Sequence, residues 1–279
     1  MEVRPWGHFR PNSFFSFCLQ LLASLPQSYL GRRVFYALRR IIVLLLGKSP
    51  IDVIRLGGAR LRLRMMGNVC ETRILCNENY FDFDERTYLK TLLRPGSVFI
   101  DAGANVGGYS FDMGFSQPGI KIIAIEADPY MFSRLKENID FNLEISISPL
   151  NYALSAERGR LSLFRNELNA GENLIRVVSN EKSSIIVDAR SLLDIVQECK
   201  IACIDVLKID IEGAEDEVLE SFFRKADPHL FPEHILIEKS FDRWKFDVIE
   251  LLKNQGYRIA VDFDNNVALQ KIAAHSARL

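Results

Sequence analysis

The stretch SVFIDAGANVGGYS, residues 97–110, decides the fold class of this chain. It begins with a short apolar run that ends at Asp101, passes through a turn rich in glycine, and enters a run of helical character at Tyr109. This order predicts a β-strand, a tight turn and a helix. Because glycine has no Cβ and tolerates positive φ, such a turn lets backbone N–H groups and a helix start approach a ligand closely.

A second predicted strand, KIIAIE at 121–126, ends in Glu126. A carboxylate at that point is placed to accept hydrogen bonds from both hydroxyls of a ribose. The turn does not have the G-x-G-x-x-G spacing, and an acid at the end of the first strand suits a cationic amino group better than a pyrophosphate. The two acids therefore indicate an unphosphorylated nucleoside with an ammonium group, and they disfavour a nicotinamide dehydrogenase.

Three blocks of the sequence resemble FkbM-family S-adenosylmethionine-dependent methyltransferases: DAGANVG (101–107), IEADP (125–129) and LKIDIEGAE (207–215). The resemblance implies an α/β fold over residues 80–279, namely the Rossmann-like class I methyltransferase fold with a seven-stranded sheet and helices on both faces. It also implies S-adenosyl-L-methionine as the cofactor. The acceptor that it implies is a hydroxyl group of a sugar, a glycan or a polyketide-like natural product.

The resemblance also assigns eight residues to the cofactor site: Asp101, Gly103, Ala104, Asn105, Gly107, Glu126, Ala153 and Asp210. Asp101 and the turn that follows it would hold the methionine part of the cofactor. Glu126 would take the ribose, and Ala153 would lie against the adenine ring.

The fourth predicted core strand, VLKIDIEG at 206–213, carries the predicted chemistry. Lys208 and Asp210 share one face of this strand, and Asp210 and Glu212 come at its carboxyl end, where doubly wound sheets bind their ligands. Titratable residues on an apolar strand are costly to bury without partners, so we expect Asp210, Glu212 and Lys208 to be catalytic. Methyl transfer to an alcohol requires alignment and removal of a proton, and either Glu212 or Asp210 is the expected base or orients the acceptor.

Glu238 ends another predicted strand, HILIE at 234–238, and is expected to pair with Lys208. A divalent ion between Asp210 and Glu238 is a less favoured alternative, and no metal site is predicted. The chain has five cysteines without a CxxC pair and only four histidines, which argues against a zinc site or a disulfide framework. Free thiols are typical of a reducing compartment, so a cytoplasmic protein is expected.

Residues 1–79 are predicted to form a basic extension of helices and a β-hairpin. No acid occurs between Val3 and Ile51, whereas arginines interleave with apolar runs that are too short to span a membrane. Two interpretations remain open: a segment that lies peripherally on an anionic membrane surface, or a helical subdomain that packs on the core. In the hairpin, Arg60, Arg62 and Arg64 are expected to form a solvated face.

Together these features predict an enzyme that O-methylates a small-molecule or glycan acceptor. The alternative is a catalytically degenerate module that binds a nucleoside or docks on a membrane. Nucleic acid is not expected as a partner, because the excess positive charge is confined to the N-terminal part of the chain.

Overall fold

The computed structural model describes residues 4–26, 28–47, 49–64, 67–164, 174–176 and 184–272. Its α-helices are α1 (Ser13–Ser24), α2 (Tyr29–Leu46), α3 (Val69–Asn77), α4 (Phe83–Leu92), α5 (Gly108–Gly114), α6 (Pro129–Asp140), α7 (Leu192–Glu198), α8 (Glu215–Lys225) and α9 (Val248–Asn254). Its strands are β1 (Ile51–Arg55), β2 (Ala59–Leu63), β3 (Val98–Ala102), β4 (Lys121–Ile125), β5 (Ser146–Leu150), β6 (Ala153–Leu154), β7 (Gly159–Phe164), β8 (Leu174–Arg176), β9 (Ser184–Arg190), β10 (Val206–Ile209), β11 (His234–Glu238), β12 (Tyr257–Asp262) and β13 (Asn266–Lys271).

Seven strands form the central sheet in the order β12-β13-β11-β10-β3-β4-β5. The five strands from β11 to β5 are parallel, and β13 pairs antiparallel with both β11 and β12. The chain places β4 and β5 on one side of β3 and returns to place β10 and β11 on the other. The sheet therefore has a topological switch point between β3 and β10, and ligands of such sheets bind at the carboxyl ends of the strands there.

Both faces of the inner strands β3, β4, β10 and β11 are buried, which explains why these strands are mostly apolar, whereas the edge strands β5 and β12 are partly exposed. On one face, Phe99 and Ile122 pack with residues of α5 and α6. On the other face, Ile100 and Ile123 pack with residues of α7, α8 and α9. The predicted α/β fold, a Rossmann-like seven-stranded sheet with helices on both faces, is confirmed.

A second sheet, in the order β6-β9-β7-β8, follows β5 in the chain. Its strands β7, β8 and β9 contain residues of the apolar runs at 161–164, 174–178 and 184–188, which the sequence predicts as extra strands before the strand that carries Lys208. The side chain of Leu163 in β7 reaches the cleft described below.

The N-terminal helices pack on the same core as α5 and α6. Leu22 of α1 and Phe35 of α2 are fully buried and belong to the hydrophobic cluster that contains Phe99 and Phe111. The inner faces of α1 and α2 thus behave as a helical subdomain on the core. Among the described residues, no helix is long and apolar enough to cross a membrane.

The β1–β2 hairpin forms as predicted, but its arginine face is not solvated throughout. Arg62 is only 3% exposed, because α6 packs on β2 and covers it. Its Nε donates to Asp52 Oδ1 at 2.7 Å, and its Nη1 donates to Glu137 Oε1 at the same distance. The expectation of a solvated row is therefore wrong at Arg62, which is a buried ion-pair residue.

Candidate active site

A cleft opens at the carboxyl ends of β3, β4, β10 and β11, at the switch point of the sheet. It holds about 1300 Å³ of space, part of which is open to solvent. Its walls come from the turn after β3, the ends of β4, β10 and β11, the segment after β5, and α3. Most of the predicted cofactor and catalytic residues line this cleft, namely Gly103, Ala104, Asn105, Glu126, Lys208, Asp210 and Glu212, whereas Asp101, Gly107 and Ala153 do not.

The turn after β3 has the backbone conformation that its glycines predict. Gly103 has a φ of +81°, and a Cβ at this position would lie 1.9 Å from the carbonyl oxygen of Asp210, so only glycine fits. Asn105 also has a positive φ of 52°. Its side-chain Oδ1 accepts hydrogen bonds from Val106 N at 2.9 Å and from Asn68 Nδ2 at 2.7 Å, which stabilise this conformation.

Glu126 follows β4 and lies on the cleft wall beside this turn. Its two carboxylate oxygens accept hydrogen bonds from the backbone N–H groups of Asn105 and Asp128, each at 2.8 Å. Burial raises the pKa of Glu126 to about 7, and these two hydrogen bonds offset part of that effect. A ligand hydroxyl that donates to this carboxylate would favour its charged form.

Asp101 lies behind the turn and does not line the cleft. It is 1% exposed, and its Oδ2 accepts hydrogen bonds from Ser110 N at 3.1 Å and from Ser110 Oγ at 2.6 Å. Its Oδ1 lies 3.6 Å from Lys208 Nζ. In this arrangement Asp101 ties the start of α5 to β3 and so supports the turn from behind.

Lys208 connects β10 with the turn after β3. Its Nζ donates to the carbonyl oxygens of Gly103, at 3.0 Å, and Ala102, at 3.3 Å, and it lies 3.4 Å from Asp210 Oδ2. Burial alone would lower its pKa, but Asp210 and Asp101 outweigh that effect and raise the pKa. The ion pairs of Lys208 are formed with these two aspartates, not with Glu238 as the sequence led us to expect.

Three carboxyl groups meet at the ends of β10 and β11. Ile209 pairs with Ile237 in the parallel register, so Asp210 and Glu238, one residue further along each strand, lie side by side. The Asp210 side chain is 37% exposed, and Glu212 is ion-paired with Arg243. Burial, together with the negative charges of Asp210 and Glu212, raises the pKa of Glu238 to about 8.

The structure places Ala153 away from the cleft. Its side chain is fully buried in the small core of the second sheet, with Leu163 and Ala189. Tyr152 and Leu154, which point to the opposite side of the strand, line the cleft instead. Any adenine contact of Ala153 would therefore come from its backbone.

One wall of the cleft was missed by the sequence reasoning. It is formed by Cys70 and Arg73 of α3 and by Asp82, which precedes α4. Asp82 Oδ2 accepts a hydrogen bond from Tyr109 Oη at 3.1 Å, and burial raises the pKa of Asp82. The local sequence signal at Asp82 is its position between two phenylalanines, at 81 and 83, because a charge next to apolar side chains is costly to bury without a partner.

No group of three or more histidine, cysteine, aspartate or glutamate side chains among the described residues is arranged to hold a metal ion. Asp210 and Glu238, between which the sequence left a divalent ion as an alternative, are a pair of carboxylates and not such a group.

The strand order, the glycine turn and the acid after β4 define a class I methyltransferase of Rossmann-like fold. The model of the methyltransferase FkbM domain matches residues 101–259 of the chain. The chain belongs to this family, and the protein is a methyltransferase.

Two curated relatives and one solved structure illustrate the similarity. The 31-O-demethyl-FK506 methyltransferase FkbM of Streptomyces tacrolimicus is 26% identical over 70% of this chain and 86% of its own length. The hexuronic acid methyltransferase AglP of Haloferax volcanii is 31% identical over 49% of this chain and 55% of its own length. The structure of M. jannaschii TYW2 in complex with AdoMet is similar with a TM-score of 0.39 and 14% identity, over 81% of this chain and 88% of that one.

Proposed function

We propose that this protein transfers the methyl group of S-adenosyl-L-methionine to a hydroxyl oxygen of a sugar, a glycan or a similar natural product. The observation that carries the proposal is one cleft that joins Glu126 and the glycine turn to the carboxyl pair Asp210 and Glu238. The first half of this cleft suits a nucleoside with a cationic amino acid part. The second half suits a hydroxyl group that must lose a proton.

The residues of the chain fit this cofactor. Glu126 accepts the ribose hydroxyls, and the backbone of Gly103–Asn105 lines the space for the methionine part. The Asp210 carboxylate lies on the same wall and attracts the ammonium group. When bound, S-adenosylmethionine supplies a sulfonium-bound methyl group that is already strongly electrophilic.

The three carboxyl groups at the ends of β10 and β11 differ in whether a lysine or an arginine lies beside them. This difference indicates which of them acts as the base. A cation beside a carboxylate favours its charged form and makes it a weaker base. Lys208 lies beside Asp210 and Arg243 is ion-paired with Glu212, whereas Glu238 has no ion pair among the described residues and only the longer-range attraction of Arg243. We therefore assign proton removal to Glu238, ahead of Asp210 and Glu212. Asp210 and Glu212 orient the acceptor and cofactor, and Lys208 is a positioning residue.

S-adenosylmethionine, held by Glu126 and the backbone of Gly103–Asn105, would supply its methyl group to the hydroxyl oxygen, and the electron pair of the carbon–sulfur bond would stay on sulfur. The proton of the hydroxyl passes to the Glu238 carboxylate and from there to solvent. The products are a methyl ether and S-adenosylhomocysteine.

The acceptor class rests on the cleft and on the relatives. Asp82, Asp210 and Glu238 offer carboxylate oxygens that accept hydrogen bonds from the hydroxyls of a neutral sugar. One relative is named for a hexuronic acid and another for 31-O-demethyl-FK506, which agrees with an oxygen-rich acceptor. All five cysteines are free thiols, which supports the proposal that the protein works in the cytoplasm.

The first test measures ligand binding by calorimetry with S-adenosylmethionine, S-adenosylhomocysteine and NAD. Selective binding of the first two supports the proposal, whereas binding of NAD contradicts it. Mass spectrometry then detects methylation of a panel of neutral methyl glycosides and hexuronates. Transfer to none of these oxygen acceptors would contradict the proposed acceptor class.

The second test compares glutamates at opposite ends of β11. Glu238→Gln should lower turnover by about 100-fold or more, the usual loss when a general base is removed, and leave the affinity for S-adenosylhomocysteine unchanged. Glu233→Gln changes an exposed glutamate just before the other end of the strand and should leave turnover as in the wild type. If Glu238→Gln retains turnover while Asp210→Asn or Glu212→Gln loses it, the base is one of those residues.

A further inference from the structure

The outer face of α2 is an exposed apolar stripe. Gly31, Phe35 and Ile42 face the core at helical spacing. About a third of a turn away around the helix, Leu30, Val34, Ile41, Leu44 and Leu45 are all exposed, with Leu44 at 75%. Val34 follows Leu30 by four residues, Ile41 follows Val34 by seven, and Leu44 and Leu45 follow Ile41 by three and four, so the five share one side of the helix. The stripe is therefore a continuous apolar face that the described part of the chain does not cover.

The neighbouring helix α1 has the same character. Phe14, Phe17 and Leu21 are exposed at helical spacing, while Leu19 and Leu22 are buried against the core. Half of the exposed large apolar side chains among the described residues lie on α1 and α2. Isolated exposed leucines are ordinary on a protein surface, but contiguous stripes of this kind mark an interaction surface.

The charge along these helices has one sign. Arg33 and Arg40 flank the exposed stripe of α2, and Arg32 and Arg39 follow further around the helix. The sequence has no acid between Val3 and Ile51, so neither helix carries a carboxylate that offsets the charge of Arg33 and Arg40. Tyr29 and Tyr36 are exposed between these arginines, and Arg33 lies over the Tyr29 ring at 5.8 Å from its centroid. Apolar side chains beside arginine and tyrosine are the composition of helices that lie in a membrane interface.

We propose that the outer faces of α1 and α2 form a surface that binds the anionic face of a lipid bilayer. The leucines, valine, isoleucine and phenylalanines enter the boundary between head groups and acyl chains, and the arginines contact lipid phosphates. This surface uses none of the cleft residues, so it is independent of the acceptor.

Charge complementarity favours an anionic bilayer over a second copy of the chain as the partner of this surface. Two copies that met through these faces would bring arginines against arginines, with no carboxylate on either helix to pair with them. An anionic bilayer supplies the missing negative charge and buries the apolar stripe at the same time. Each arginine near such a surface contributes about 1 kcal/mol, or about fivefold in affinity.

The test is sedimentation of the full chain with vesicles of phosphatidylcholine alone or with 30 mol% phosphatidylglycerol, a composition chosen for the assay. We expect binding to the anionic vesicles that weakens when sodium chloride is raised from about 0.1 to about 0.5 M, because salt screens the arginines. Arg33→Gln with Arg40→Gln should weaken binding by about 30-fold, and Leu44→Gln with Leu45→Gln should also weaken it.

Two control variants show whether the loss of binding is specific to α1 and α2. Arg224→Gln with Lys253→Gln removes the same charge from exposed positions on α8 and α9, and Leu143→Gln replaces a leucine that is 80% exposed elsewhere. Both should bind vesicles as the wild type does. Equal losses in the N-terminal and control variants would overturn the proposal, as would absence of binding to anionic vesicles. A dimer by light scattering that the Leu44→Gln, Leu45→Gln variant dissociates would assign the surface to a second copy instead.

Discussion

The carboxyl group of Glu126 should make cofactor binding depend on pH. Burial raises its pKa to about 7, and Asp128 adds to this effect, while Lys208 and two backbone hydrogen bonds oppose it. Ribose hydroxyls donate to the ionised carboxylate, so the ligand selects that form and the pKa falls on binding. Affinity therefore rises with pH, and binding releases a proton.

The size of the change in affinity follows from the pKa of Glu126 in the protein without ligand. With a pKa of about 7, about one Glu126 carboxyl in eleven is ionised at pH 6, and about ten in eleven are ionised at pH 8. If only the ionised form binds, the dissociation constant is about tenfold larger at pH 6 than at pH 8. At pH 7 about half a proton is released for each ligand bound.

Calorimetric titration with S-adenosylhomocysteine at pH 6, 7 and 8 measures how the dissociation constant changes with pH. Repeating the pH 7 titration in two buffers with different ionisation enthalpies measures the number of protons released on binding. Glu126→Gln keeps the shape of the side chain and should remove the tenfold change. Glu144→Gln changes an exposed glutamate that pairs with Arg60 and should retain it. Equal pH dependence in the wild type and in Glu126→Gln would refute the reasoning, because another group would then control the affinity.

Two further predictions concern the support of the turn. Gly103→Ala should abolish cofactor binding in calorimetry and lower the melting temperature, because the new Cβ would lie 1.9 Å from the Asp210 carbonyl oxygen. The control Gly159→Ala should change neither binding nor melting temperature, because a Cβ at that position would have nothing within 4 Å. Lys208→Met should lower the free energy of unfolding, measured in urea, by about 3–5 kcal/mol, because Asp101 is left buried without its cation. The control Lys225→Met removes a lysine from an exposed pair with Glu157 and should lower it by less than about 1 kcal/mol.

The parts of the site that lie close together in the sequence could be predicted from it. The turn after β3 and Glu126 after β4 depend on local patterns, namely an apolar run, glycines and an acid at a strand end. Parallel strands of one sheet end at one edge, so these features meet in space without further information. The seven-stranded sheet is predictable for the same reason, because its apolar strands alternate with helical segments.

Other parts of the fold and of the candidate site depend on contacts between distant segments. Nothing near Arg62 in the sequence shows that α6 will cover it, because α6 begins more than sixty residues later. Cys70 and Arg73 belong to a segment that was expected to be an extension, and only tertiary packing brings α3 to the cleft. At Ala153 the limit is different: a shift of one residue in a strand exchanges the two faces, and sequence alone does not fix that register.

The structure divides the titratable residues of the fourth core strand between two roles. Lys208, Asp210 and Glu212 all line the cleft, as a site at the end of this strand requires, but some of their charges support the turn and the others are available to the proposed chemistry. Lys208 is occupied by two aspartates and two carbonyl oxygens, so its charge holds the turn in place. Glu238 faces carboxylates instead, and its pKa of about 8 means that a modest rise in pH converts it to the form that accepts the proton. Turnover should therefore increase with pH through that range if Glu238 is the base.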